Sequence, residues 1–150
     1  MNIRIVAAVI ERADRRLLIG QRRREDSSPL KWEFPGGKVK DGESLEQALA
    51  RELREELEAT LLRSVAISQV EHDYGSRIGS LSITFFAASI LEKELHPVPF
   101  EQLAWVLPRE LAGYDFLAAN RRLIAELATG RIKPAELLAT GTQNATRDSH

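Results

Sequence analysis

The stretch Gly37-Lys38-Val39-Lys40-Asp41-Gly42-Glu43-Ser44-Leu45-Glu46-Gln47-Ala48-Leu49-Ala50-Arg51-Glu52-Leu53-Arg54-Glu55-Glu56-Leu57-Glu58-Ala59 decides how this chain is read. A helix begins near Ser44: its hydroxyl can cap the first turn, and Gln47 stands at the reciprocal capping-box position. Leu45, Ala48, Leu49, Leu53 and Leu57 then recur with helical period and define one apolar face. Glu52 and Glu56 fall inside that apolar arc and Glu55 lies at its edge, so three carboxylates project within roughly 100° of one another. Acids that served only to keep a helix hydrated would lie on the far side. Carboxylates turned partly inward repel each other and lose hydration, at a cost of several kcal/mol unless a cation or hydrogen bonds compensate. Oxygen-only ligation by several carboxylates suits Mg²⁺, with Mn²⁺ as the other candidate, and does not suit zinc. The competing reading is a solvated acidic helix, to which the i,i+4 pairs Arg51 with Glu55 and Arg54 with Glu58 would contribute.

Working outward, Phe34-Pro35-Gly36-Gly37 precedes the helix, and its proline and glycines argue against a regular element there. Exposed backbone groups at Gly36 and Gly37, with the charge of Lys38 beside them, could hold phosphate and metal together. Residues 3–10 and 15–20 read as strands, residues 21–31 as a polar loop, and residues 62–73 and 80–91 as strands joined by a hairpin link beginning at Asp73-Tyr74-Gly75-Ser76. A shorter strand is expected over 102–107. Phe116, Leu123, Ile124 and Leu127 space a second main helix ending near Gly130, after which Pro134 can open a short extra helix before a polar tail. These assignments predict a domain over residues 1–130 and a C-terminal extension over 131–150.

The composition bounds the function. With 21 basic and 22 acidic residues and a net charge of −1, the chain has no field that would hold a nucleic-acid polymer. It has no cysteine, which excludes thiolate metal sites and cysteine nucleophiles. Its apolar runs fall short of the roughly 20 residues of a membrane span, and its start has no secretion signal, so a cytoplasmic protein with no membrane partner is expected. At 150 residues it should form one domain, acting as a monomer or homodimer.

The quoted stretch resembles the Nudix box: glycine, five residues, glutamate, seven residues, then Arg-Glu-apolar-any-Glu-Glu-any-Gly-apolar. Gly37, Glu43, Arg51, Glu52, Leu53, Glu55, Glu56 and Ala59 stand at the matching positions. Glu58 stands where the family has glycine, and a shifted helix end is expected because a Cβ disfavours the left-handed conformation. The resemblance implies an α/β class fold, a Nudix-type α/β/α sandwich around a mixed β-sheet. It further implies that Glu52, Glu55 and Glu56 bind Mg²⁺ or Mn²⁺ with the Gly36 carbonyl, that Arg51 and Glu43 orient this cluster, and that Gly37 and Lys38 lie near the phosphates. Water would attack phosphorus, with Glu52 as first choice of general base and Glu55 as its rival.

From about Ile3 to Leu127 the chain resembles the MutT type of nucleoside-triphosphate pyrophosphohydrolase. Arg22 follows the second strand where such enzymes carry an arginine at the purine site. Lys31-Trp32-Glu33-Phe34-Pro35-Gly36-Gly37 resembles their approach to the box, and Asp115-Phe116-Leu117-Ala118-Ala119-Asn120 resembles the segment ending in a base-reading asparagine. Asn120 suits that role because one amide offers both a donor and an acceptor. Phe34, Trp32 and Trp105 are candidates to stack on a base, with burial in the core as the alternative. Glu101 is the nearest candidate for the further metal-binding acid that these enzymes place before the last strand's tryptophan, although it lies closer to Trp105 than the pattern requires. The expected reaction is hydrolysis of a nucleoside triphosphate, a small-molecule substrate, to the monophosphate and pyrophosphate, including oxidised purines such as 8-oxo-dGTP. Hydrolysis of CTP, dCTP or a modified pyrimidine nucleotide is the alternative, and a non-catalytic nucleotide-binding regulator is the alternative from another class.

Overall fold

The computed structural model describes residues 2–73, 75, 77, 79–91, 95–96 and 99–140. Tyr74 and Ser76 of the expected hairpin link, and the tail from Gly141, lie outside the described residues. The elements are β1 (Asn2–Ile10), β2 (Leu17–Arg22), β3 (Trp32–Glu33), β4 (Gly36–Lys38), α1 (Leu45–Leu57), β5 (Leu61–Asp73), β6 (Ser80–Ile90), β7 (Phe100–Val106) and α2 (Arg121–Ala128). A helical segment follows over residues 134–140.

The strands form a mixed sheet in the order β4-β1-β6-β5 and an antiparallel sheet in the order β3-β2-β7. In the mixed sheet β1 runs parallel to β6, while β4 on one side and β5 on the other are antiparallel to their neighbours. The period-2 alternation of strands sorts the apolar side chains of β1 onto two faces. Val6, Ala8 and Ile10 join Leu18, Phe86 and the α1 residues Ala48, Leu49, Leu53 and Leu57. Ala7 and Val9 join Leu17, Ile19, Phe85 and the α2 residues Leu123, Ile124 and Leu127. One helix therefore packs on each face, which is the α/β/α sandwich. Each fully buried leucine or phenylalanine contributes about 1.5–3 kcal/mol of transfer free energy. Among the described residues no helix is long and apolar enough to cross a membrane.

Three local features differ from the sequence reading. Gly36 and Gly37 are extended and belong to β4, paired with Ala7 and Val6, and neither has a positive φ. They are needed for space: a Cβ on Gly36 would collide with the Val6 carbonyl, and one on Gly37 with the Glu52 carboxylate. Phe116 stays out of the second helix, which begins only at Arg121, because it bridges in parallel to Trp32 and is followed by a 3₁₀ turn over Ala118–Asn120. Glu58 does not shift the end of α1 but itself takes the left-handed conformation, φ 55° and ψ 31°, with its N–H donating to the Arg54 and Leu53 carbonyls.

Candidate active site

The helix α1 sets the site because it starts and stops cleanly. The Ser44 hydroxyl accepts from the Gln47 N–H at 3.0 Å and the Gln47 side chain accepts from the Ser44 N–H at 2.9 Å. Such a cap contributes about 1 kcal/mol and holds the register that the four buried apolar residues require. With that face anchored, Glu52, Glu55 and Glu56 emerge along the side of the helix next to β4.

The structure divides these acids. Glu56 lies half-buried and accepts a hydrogen bond from the Gly36 N–H at 2.8 Å. Burial pushes its pKa up to about 8; the Gly36 hydrogen bond works against that, while the charges of Glu33, Glu52 and Glu55 add to it. The Glu52 side chain is 15% exposed and lies against Gly37, where the missing Cβ admits it. Glu55 is 54% exposed. Arg51 stands among them: Nε and Nη2 donate to the two Glu43 oxygens at 2.6 and 2.9 Å, and Nη1 donates to Glu52 at 2.9 Å and to Glu55 at 3.3 Å. Its Nη2 also donates to the Lys38 carbonyl at 2.9 Å. This guanidinium holds the Glu43 carboxyl down to about 2, helped by the Lys40 N–H, and Glu43 in turn raises the arginine above its ordinary value.

A cavity of about 460 Å³ opens beside this cluster and is lined by Arg22, Glu33, Phe34, Gly36, Gly37, Lys38, Glu56 and Asn120, together with apolar residues of β1, β6 and the 117–119 turn. Glu56 is the one helix carboxylate of the box in this lining, where it meets residues from outside the box; Glu52 and Glu55 stand beside the opening. Asn120 is 5% exposed, sits at the start of α2, makes no side-chain cap there, and its amide has no hydrogen-bond partner among the described residues. An amide that lines a cavity offers a ligand both a donor and an acceptor. The Lys38 ammonium is exposed at the rim and is likewise unpartnered among the described residues.

Other candidates are placed differently. Phe34 is buried against Phe85 and Phe116, at centroid distances of 6.2 and 5.6 Å, and forms part of the cavity wall only from within the core. Trp32 is buried edge-on to Tyr114, and Trp105 lies under the Arg12 guanidinium at 4.7 Å. Glu101 and Trp105 line a separate cavity with Ile10, Ile90 and Leu103, so Glu101 is not brought to the carboxylate cluster. Arg22 reaches the cavity, but its guanidinium is occupied by Ser27 and Glu33. Glu33 is a further cavity carboxylate, and its only signal in the sequence is a charged residue between two aromatics, Trp32 and Phe34, both of which are buried.

The donor set fits a hard divalent cation in chemistry. Glu56 carries a carboxyl raised by burial and by its acidic neighbours, the Gly36-Gly37 backbone lies within reach of it, and Glu52 packs against the same glycines. Among the described residues no three acidic or histidine side chains are gathered in a ligating arrangement. Arg51 takes up Glu52 and Glu55, and the Gly36 N–H takes up Glu56. A cation would compete with those partners for the same oxygens.

Comparison with known proteins gives consistent matches. The NUDIX domain family profile matches residues 1–139. The CTP pyrophosphohydrolase of Escherichia coli K12 is 37% identical over 137 residues, covering 89% of this chain and 98% of that protein. The 8-oxo-dGTP diphosphatase of the same organism is 29% identical over 126 residues, covering 84% of this chain and 96% of that protein. A solved MutT structure from work on Aliivibrio salmonicida and Vibrio cholerae superposes with a TM-score of 0.74 at 34% identity, covering 87% of this chain and 99% of the other.

Proposed function

Since the chain belongs to the NUDIX domain family, we propose that it hydrolyses a nucleoside triphosphate to the nucleoside monophosphate and pyrophosphate in a reaction that depends on Mg²⁺, with Mn²⁺ as a substitute. The observation that carries this reading is one cavity lined by Glu56, Gly36, Gly37 and Lys38 together with Asn120. A nucleotide needs both ends: a cationic and metal-binding end for phosphates, and a polar group in an apolar wall for the base.

Glu52, Glu55 and Glu56, with the Gly36 carbonyl, would hold the cation, which supplies stabilisation of the charge that develops on the phosphate oxygens. Arg51 orients this set by pinning Glu52 and Glu55 on one side and Glu43 on the other. Lys38 neutralises phosphate charge. Water attacks a phosphorus of the α–β linkage, its proton passes to a carboxylate, and the phosphorus–oxygen bond to the departing group breaks. Glu52 is assigned as that base because it is less exposed than Glu55 and is held against Gly37.

Asn120 would read the base. Its unspent amide pairs with an acceptor–donor edge, and the preferred reading is a purine, including oxidised guanine. Cytosine offers an acceptor and an amino donor side by side, and the 37% identity to a CTP pyrophosphohydrolase favours it as the second reading. The test is a panel of purine, 8-oxo-purine and pyrimidine triphosphates with Mg²⁺, Mn²⁺ or a chelator, detecting pyrophosphate and orthophosphate separately. Pyrophosphate release that the chelator abolishes is expected, together with a base-selective loss in Asn120→Ala. Tight nucleotide binding without turnover across the panel would make the chain a regulator and end the enzymatic reading.

A further inference from the structure

Arg22 and Glu33 meet at the cavity, and their hydrogen-bonding capacity is spent unequally. All three guanidinium nitrogens of Arg22 are in use. Nε donates to the Ser27 carbonyl at 2.8 Å, Nη2 to the Ser27 hydroxyl at 3.1 Å, and Nη1 to the two Glu33 oxygens at 3.2 and 3.4 Å. The backbone of Arg22 is tied too, its N–H donating to the Lys31 carbonyl and its carbonyl accepting from the Leu30 N–H. The side chain therefore braces the 23–31 loop and has little left for a ligand.

Glu33 is in the reverse position. An ionised carboxylate offers roughly four acceptor sites, and among the described residues the one Arg22 nitrogen is its only side-chain partner. The side chain is 23% exposed and lines the cavity with Gly36, Glu56 and Asn120. Burial raises its pKa above the usual carboxylate range, and Arg22 opposes this without overcoming it. Acceptors held half-buried and unspent at the mouth of a ligand site are costly until donors reach them.

We infer that Glu33 is a specificity-determining residue that accepts hydrogen bonds from N–H or O–H donors on the nucleoside half of the ligand, and that Arg22 is the positioning residue that aims it. This rests on the cavity being a nucleotide site but not on turnover. Two parts of a nucleoside carry such donors. A guanine-type base presents a ring N–H beside an amino group, which matches two carboxylate oxygens, and the sugar presents hydroxyls.

The test is calorimetric binding of dGMP, dIMP, 2′,3′-dideoxy-GMP, dCMP and inorganic pyrophosphate, with Mg²⁺, to the wild type, Glu33→Ala, Arg22→Ala and the double variant. Glu33→Ala should weaken the preferred nucleotide about 10- to 100-fold, leave pyrophosphate unchanged, and show no such loss on whichever analogue lacks the donor. Loss of the effect on dIMP assigns the amino group and loss on the dideoxynucleotide assigns the sugar; either supports the inference. Arg22→Ala should cost less and add little in the Glu33→Ala background. Equal losses on every ligand, pyrophosphate included, would reduce Glu33 to a structural role. A full Arg22→Ala effect in the double variant would make Arg22 the reader. Thermal unfolding checks each variant, and Glu33→Gln and Arg22→Lys serve if the alanine forms do not fold. No nucleotide binding by the wild type would overturn this inference and the proposed function together, whereas Glu33-dependent binding without turnover would overturn the hydrolase reading alone.

Discussion

Arg51 and Arg22 both stand beside glutamates, yet the pKa of Glu43 is lowered and that of Glu33 is raised. Arg51 offers Glu43 two nitrogens at 2.6 and 2.9 Å, and Glu43 is held down to about 2. Arg22 offers Glu33 one nitrogen at 3.2 and 3.4 Å because the rest of its fork is committed to Ser27, and Glu33 stays raised by burial. A paired fork makes stronger, charge-assisted hydrogen bonds than a single shared nitrogen. The contrast separates a framework that is complete within the protein, around Arg51, from cavity carboxylates, Glu33 and Glu56, that are short of partners. In the proposed function the first holds geometry and the second receives the ligand.

The largest effect should come from the carboxylate that Arg51 presents to the reaction. Glu52→Gln is expected to lower kcat about 10³-fold in pyrophosphate-release assays, within the range for loss of a general base. If Glu55→Gln is the more damaging of the two, the base is Glu55 and the assignment changes. Arg51→Lys tests the framework itself. A single ammonium cannot span Glu43 and Glu52 together, so kcat/KM should fall about 10- to 100-fold with a matching rise in the Mg²⁺ concentration for half-activity. A change below about twofold would mean the network is an ordinary surface ion cluster.

The two classes of carboxyl should also give opposite pH limbs in the metal-free protein. Glu56 titrates near 8 folded against an ordinary value of 4.5, so between these values the folded state binds a proton that the unfolded state has released. Stability therefore falls as pH rises through that window and levels off above it. Glu43, lowered to about 2, contributes stability that is complete above its unfolded value and is lost as pH falls toward 2. Thermal melts from pH 2 to 9 should show Glu56→Gln flattening the neutral limb, and added Mg²⁺ stabilising most at the alkaline end, where the ionised form is available to it. A neutral limb unchanged in Glu56→Gln would place its cause elsewhere. The smallest effect is at the end of α1. Glu58→Gly relieves a positive φ and should add on the order of 1 kcal/mol, or about 2–4 °C in Tm, reduced by the loss of the Glu58 contact with His96.

Much of α1 could be read directly from the chain. Its cap, its apolar face and the inward lean of Glu52 and Glu56 are i,i+3 and i,i+4 properties, and these follow from helical geometry alone. The spacing of the box residues, from Gly37 to Ala59, is of the same local kind. Glu33 and Glu101 show the opposite case: both are glutamates near an aromatic residue, and nothing within a few positions of either tells which faces the cavity. The Gly36-Gly37 pair belongs there as well, since its need for space comes from Val6 and Glu52, residues 30 and 15 positions away. Phe116 escaped the second helix through its bridge to Trp32, a partner distant in sequence.

Sequence by itself therefore determined the helix, its carboxylate face and the family of chemistry, because the contacts behind them close within one or two helical turns. Tertiary structure alone decided that Arg22 is occupied, that Glu33 and Asn120 share the cavity with unspent hydrogen bonds, and that Glu101 lies elsewhere. Those outcomes depend on which strands become neighbours and how deeply each side chain is desolvated, and both are set by long-range packing.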